Sequence, residues 1–186
     1  MANLQYGTYY SSQPGTGPGK KQKILIIGII VAVLFGVIFM ATSLLSGNAK
    51  NDVILLAAKE SSFATLANES QKSIRDPDLA TANSNAAILL TSDTTNLLSV
   101  TGTKKLDGNL VKQQADTNGE RLKQASLLDK FDSTYQQVVL EKTSALTTET
   151  RTLRGKVSDK KTSAALDQVI TNLDSITKQF TALQLP

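Results

Sequence analysis

The chain has no cysteine, no histidine and no tryptophan among its 186 residues. Without Cys it can form no disulfide, no thiolate metal site and no lipid-modified thiol. Without His it lacks both the side chain most used for proton transfer near neutral pH and the commonest transition-metal ligand. Enzyme classes that depend on either group are disfavoured from the start. No cofactor is expected.

Charge of one sign is also scarce once its location is considered. The formal net charge is +4, from 20 Lys and Arg against 16 Asp and Glu. Lys20, Lys21 and Lys23 stand together near the N-terminus, and 20 less these three leaves 17 basic residues against 16 acids in the rest. A nucleic-acid partner would call for a basic face rather than one cluster, so none is expected.

What is present begins with "GKKQKILIIGIIVAVLFGVIFMATSLLSG", Gly19 to Gly47. No charged residue occurs between Lys23 and Lys50. Residues 24–45 would make a helix roughly 33 Å long at ~1.5 Å per residue, enough to span a hydrocarbon core of ~30 Å. A cleaved export signal has a shorter apolar region, of about 7–15 residues, although Gly47-Asn48-Ala49 offers small residues at which cleavage could be drawn. A pilin-like fibre stem would need a Glu close to the start of the apolar run, and none occurs before Glu60. The expectation is an uncleaved signal-anchor in the lipid bilayer. Lys20, Lys21 and Lys23 on the N-terminal flank, against Lys50 alone on the other, put the N-terminus in the cytoplasm and the rest outside it. Gly28, Ala32 and Gly36, spaced by four, line one helix face that could pair two membrane helices into a homodimer.

Ahead of the anchor, "MANLQYGTYYSSQPGTGPG" has four Gly, two Pro and no charge, and reads as a disordered tail over 1–23. Tyr6, Tyr9 and Tyr10 carry no assignable role. Residues 46–50 read as a linker. From residue 51 onward the apolar spacing is helical and nowhere alternates with period two. Helices are expected over about 51–75, 77–100, 120–154 and 159–183, with a long connection over 101–119 holding one short helix near Leu110. The first carries Val53, Leu56, Ala57, Phe63, Ala64, Ala67 and Ile74. Asp76 before Pro77 reads as the cap of the second, which is polar at several seam positions. The third carries Leu128, Phe131, Tyr135, Val138, Val139, Leu146 and Leu153, with Gly155 as its stop and Ser158 as the next cap. The fourth carries Leu166, Val169, Ile170, Leu173, Ile176, Phe180 and Leu183, with Asn172, Asp174 and Lys178 mostly opposite. The fold class is all-α: a four-helix bundle outside the membrane. Short, long and short connections fit a ferritin-like scheme of two hairpins, and a plain up-down bundle is the alternative.

The run "DVILLAAKESSFATLANESQKSIRDPDLATANSNAAILLTSDTTNLLSV", then a long loop, then "FDSTYQQVVLEKTSALTTETRTL", resembles a family of exported bacterial proteins of unknown function with a ferritin-like four-helix bundle. The resemblance covers roughly residues 53–183. It lies in helix lengths, loop order and Phe131, Asp132 and Tyr135 of "FDSTYQQ". Family members often carry Asp-His on the second helix and a His on the third. This chain has Asp93 without His, and Glu141-Lys142. The resemblance implies a fold and no activity.

Di-iron bundles of that shape use four carboxylates and two Glu-x-x-His pairs. Five Glu and no His are available here. Glu60, Asp93, Glu141 and Glu149 could face inward, but solvated or locally paired carboxylates are the expectation. Ser158 and Lys161 match a Ser-x-x-Lys spacing, read as a helix start beside solvated lysines. "KKLDGN" is a turn rather than a calcium loop. "GTGPG" lacks the strand and the Gly-Lys-Ser/Thr of a phosphate loop. Asn68-Glu69-Ser70 is a glycosylation sequon in mid-helix. The function expected is a non-catalytic, single-pass cell-membrane protein that presents a helical bundle to an envelope protein partner or a ligand. An extracytoplasmic sensor acting through a partner membrane protein is the alternative, and a degenerate ferritin-like metal protein the remoter one.

Overall fold

A computed structural model describes residues 49–115 and 118–185. The residues before 49, including the apolar run over 24–45, Lys20, Lys21, Lys23, Gly28, Ala32 and Gly36, lie outside the described residues. Among the described residues no helix is long and apolar enough to cross a membrane.

The described chain is all helical: α1 (Ala49–Ser70), α2 (Pro77–Thr101), α3 (Gly108–Gln113), α4 (Gly119–Leu127), α5 (Phe131–Lys156) and α6 (Lys160–Ala182). Asp76 caps α2 as its position before Pro77 predicts: its Oδ1 accepts the Leu79 N–H at 2.8 Å. The same helix ends on Gly102 at φ 67°, with Gly102 N–H bonded to Ser99 O and Thr103 N–H to Leu98 O. That left-handed residue satisfies two carbonyls the last turn would leave bare.

Four long helices pack side by side, and their cross-links fix their directions. Thr94 on α2 reaches Ala57 O on α1, while Asn83 reaches Ala67 O. Lys59 of α1 meets Glu149 of α5, and Asp93 and Asn85 of α2 meet Asn172 and Gln179 of α6. On α6, Thr177 meets Thr143 of α5, and Asp167 meets Arg154. Helices α1 and α6 therefore run one way and α2 and α5 the other. The link from α2 to α5 travels the length of the bundle, held to α1 by the Ser62 hydroxyl donating to Gln114 O at 2.9 Å and to α5 by Arg121 against Glu141.

One continuous core joins all four helices. Leu56, Phe63, Leu79, Leu90, Leu97, Tyr135, Val138, Leu166, Leu173, Ile176 and Phe180 are its main buried side chains. Burial of each large apolar side chain contributes about 1.5–3 kcal/mol.

Several expectations need correction. The helix over 120–154 is two helices, because Leu128–Lys130 breaks it. Asp129 adopts φ 57°, and Lys130 N–H turns back to Ala125 O. Leu128, placed in that helix's apolar stripe, is instead 67% exposed at the break. Helix α1 ends at Ser70, five residues before the expected boundary at 75, so Ile74 packs on the core from the turn. Gly155 does not stop α5, which runs to Lys156. Asp159, not Ser158, caps α6, its carboxylate accepting both the N–H and the hydroxyl of Thr162 at 2.8 Å. A carboxylate accepts the first-turn donor more strongly than a neutral hydroxyl.

Candidate functional site

The packing puts two acids where none was expected. Glu60 follows Leu56 by four residues and precedes Phe63 by three, so it shares their inward face. Asp93 stands between Leu90 and Leu97 on the inward face of α2. Glu60 is 0% exposed and Asp93 1%. The expectation of solvated or locally paired carboxylates fails for both, because helical phase decides which way a side chain points whatever its polarity.

Glu149 and Lys59 stand beside them. Lys59 Nζ donates to Glu149 Oε1 at 2.8 Å across α1 and α5, with both side chains largely buried. Ninety positions separate the two in sequence. On the opposite flank the part-buried Asn172 turns its amide inward and donates to Asp93 Oδ1 at 2.7 Å, while its Oδ1 accepts from Gln168. Helix α5 adds the buried hydroxyls of Thr143 and Thr150, which donate to Val139 O and Leu146 O of their own helix. Glu141, the fourth expected acid, sits at the half-exposed surface and accepts two bonds from the Arg121 guanidinium.

Four oxygens of this layer have no hydrogen-bond partner: Glu60 Oε1 and Oε2, Asp93 Oδ2 and Glu149 Oε2. Carboxylate oxygens out of water favour the neutral acid. Burial, reinforced by the nearby charges of Asp93 and Glu149, pushes the Glu60 carboxyl well above the usual range. Burial pushes Asp93 up to about 6, against the Asn172 bond that pulls it down. Burial also raises Glu149 against the pull of Lys59, and lowers Lys59 against the pull of Glu149. A pocket lined by Asp52, Leu55, Glu149, Thr152, Leu153 and Lys156 brings Glu149 within reach of the surface near the start of α1.

The donor set does not fit a di-iron centre. Two imidazoles are missing, Glu141 is held by Arg121 and Glu149 by Lys59. Among the described residues no group of three or more acidic, His or Cys side chains is placed to hold a metal ion. Nor do the other expected motifs converge on the layer. Ser158 and Lys161 are exposed at the α5–α6 turn, and Asn68 of the sequon is exposed on α1.

Phe131, Asp132 and Tyr135, which carry the family resemblance, form a clasp at the other end of the bundle. Asp132 accepts the backbone N–H of Arg75 at 3.2 Å and of Asp76 at 2.8 Å, tying α5 to the α1–α2 turn. The buried Tyr135 hydroxyl donates to Asn83 Oδ1 on α2. Its ring stacks on Phe131 and meets Phe180 edge-on, with centroids 5.8 and 6.4 Å away. These residues hold helices together.

No family model, no curated protein and no solved structure matches the chain.

Proposed function

We propose that this chain is a non-catalytic, single-pass membrane protein of the cell envelope. Its bundle is presented outside the cytoplasm as a binding or scaffolding module. The observation that carries the reading is the pairing of Lys20, Lys21 and Lys23 with 22 following residues that hold no charge. The bundle suits such a role. Its long helices are tied by ion pairs and a continuous core. Two hairpins joined by a lengthwise link support a ferritin-like reading of the bundle, in keeping with the family resemblance, although the metal chemistry of that class has no donor set here. Gly28, Ala32 and Gly36 would pair two copies in the bilayer. The link over 101–119 offers the partner a surface apart from the core, and long connections in compact domains are often functional.

A second reading, a sensor that signals through a partner membrane protein, gains support from Glu60 and Asp93, since buried carboxyls respond to conditions that a plain scaffold ignores.

A photo-crosslinking residue at Asn109, in α3 of the link, tests the presenting role in cells. One discrete adduct with a membrane or envelope protein, lost when the link is replaced by a Gly-Ser chain, is the expected result. Adducts with cytoplasmic proteins alone would overturn the reading.

A further inference from the structure

We propose that Glu60 and Asp93 form a proton-binding switch in the middle of the bundle: as neutral acids they keep the layer dry, and on losing protons they draw water between the two helix hairpins.

A layer whose free atoms are all carboxylate oxygens offers only acceptors, so it needs added positive charge. Lys59 satisfies one oxygen of Glu149, and the Asn172 amide one oxygen of Asp93. Both oxygens of Glu60 and the second oxygens of Asp93 and Glu149 are left, inside a core with almost no solvent exposure at Glu60 and Asp93. Three ligands for a cation do not converge there. Protons meet the need with no further ligand.

Position makes the pair more than a local curiosity. Glu60 and Asp93 both belong to the α1–α2 hairpin, and what faces them belongs to the α5–α6 hairpin. The charged groups around the pair are few. From α1 come Lys59, already bonded to Glu149, and Asp52 two turns earlier. From α5 come Glu149 and Lys142, whose ammonium lies 5.4 Å from the Phe63 ring centre, a turn further along α1 from Glu60. Helix α6 presents the neutral Asn172 amide, and the α2–α5 link approaches α1 through the neutral Gln114 carbonyl. Ionising Glu60 beside Asp93 and Glu149 therefore adds like charge to the hairpin interface, with one ammonium bound there already. The direction of the carboxyl shifts agrees: burial raises both Glu60 and Asp93. The pocket that Glu149 shares with Asp52 and Lys156 gives protons an approach from the α1 end. The inference concerns the bundle alone and holds whichever side of a membrane the bundle occupies.

The test uses the full chain in detergent micelles. Infrared spectra in D2O should show a protonated-carboxyl band at about pH 7, well above the ordinary range of an exposed Glu. The band should be lost in Glu60→Gln and should grow towards about pH 5 as Asp93 protonates, unless Asp93 is replaced by Asn. Hydrogen exchange, corrected for the intrinsic pH effect, should show protection of the α1 amides around Glu60 falling as pH rises. The fall is at most about tenfold per pH unit for each proton released. It should flatten in Glu60→Gln. If that variant misfolds, the wild-type infrared spectrum and Asp93→Asn still decide. Absence of the band in the wild type overturns the proposal, as does protection with the same pH slope in wild type and variants. A band removed by millimolar calcium or magnesium, with rising protection, would make the layer a cation site and overturn it too.

Discussion

Replacing Tyr135 by Phe removes one hydroxyl, which meets both Asn83 and Ser70, from the clasp that joins the two hairpins. The ring keeps its packing between Phe131 and Phe180, so little apolar burial is lost. What is lost is the donor to Asn83 Oδ1. The Asn83 amide cannot turn to compensate, because its Nδ2 donates to Ala67 O at 2.8 Å and to Gln71 Oε1 at 2.5 Å. Asn83 is 1% exposed, so bulk water does not reach the acceptor. A buried acceptor left without its donor costs about 1–3 kcal/mol. The upper half of that range is expected, since the acceptor is held rigidly from both sides. Urea denaturation of the full chain in micelles, followed by far-UV circular dichroism, measures it. Asn83→Ala alone and the Asn83→Ala/Tyr135→Phe double variant complete a cycle, and a coupling of at least about 0.5 kcal/mol is expected for directly bonded residues. If Tyr135→Phe costs less than about 0.5 kcal/mol, or if the two changes add, the hydroxyl does not hold the hairpins together and the reasoning fails.

Other expectations follow from the same structure. Asp129→Gly should stabilise the chain by about 0.5–1 kcal/mol in a urea titration, because Gly accepts φ 57° without the cost a side chain meets there. The lost Arg75 partner is exposed and contributes little. Lys59→Met should destabilise by about 3–5 kcal/mol by stranding Glu149, whereas Lys59→Met with Glu149→Leu should be close to neutral by the same assay. Arg154→Ala, which breaks an exposed contact with Asp167 at 2.9 Å, should cost under about 1 kcal/mol. For Asp93, a folded value near 6 lies above the unfolded one of 3.8, so its stabilising effect is complete below about pH 4 and is lost as pH rises through 6. Wild type should lose up to about 3 kcal/mol relative to Asp93→Asn across that window, and parallel pH profiles for the two would refute the shift.

Helical periodicity made the all-α class and the buried helix faces legible. The faces that carry Leu56, Phe63, Leu166, Leu173 and Phe180 are buried as their spacing predicts, and Asp76 caps α2. Glu60 and Asp93 were legible too: Glu60 sits four residues after Leu56 and three before Phe63, and Asp93 three after Leu90 and four before Leu97. Their acidic side chains argue for the surface, and helical phase prevails over that preference. Other features depend on contacts far apart in sequence. The partnership of Lys59 with Glu149, of Asn172 with Asp93 and of Tyr135 with Asn83 is settled only when helices from opposite halves of the chain meet. The break at Asp129 left a weaker trace. Nothing in "SLLDKFD" resembles the Gly or Pro that usually interrupts a helix, and a left-handed Asp is an uncommon way to end one. Phe131, Asp132 and Tyr135, conspicuous as a motif, serve the packing of the bundle.

The central claim is that an uncleaved anchor places the bundle outside the cytoplasm. Protease treatment of intact cells carrying one tag ahead of Met1 and another after Pro186 tests it most directly. The account predicts that the C-terminal tag is digested from a full-length, membrane-bound chain while the N-terminal tag is protected. A C-terminal tag protected in intact cells, or a free C-terminal fragment in the medium that begins near Lys50, would contradict it.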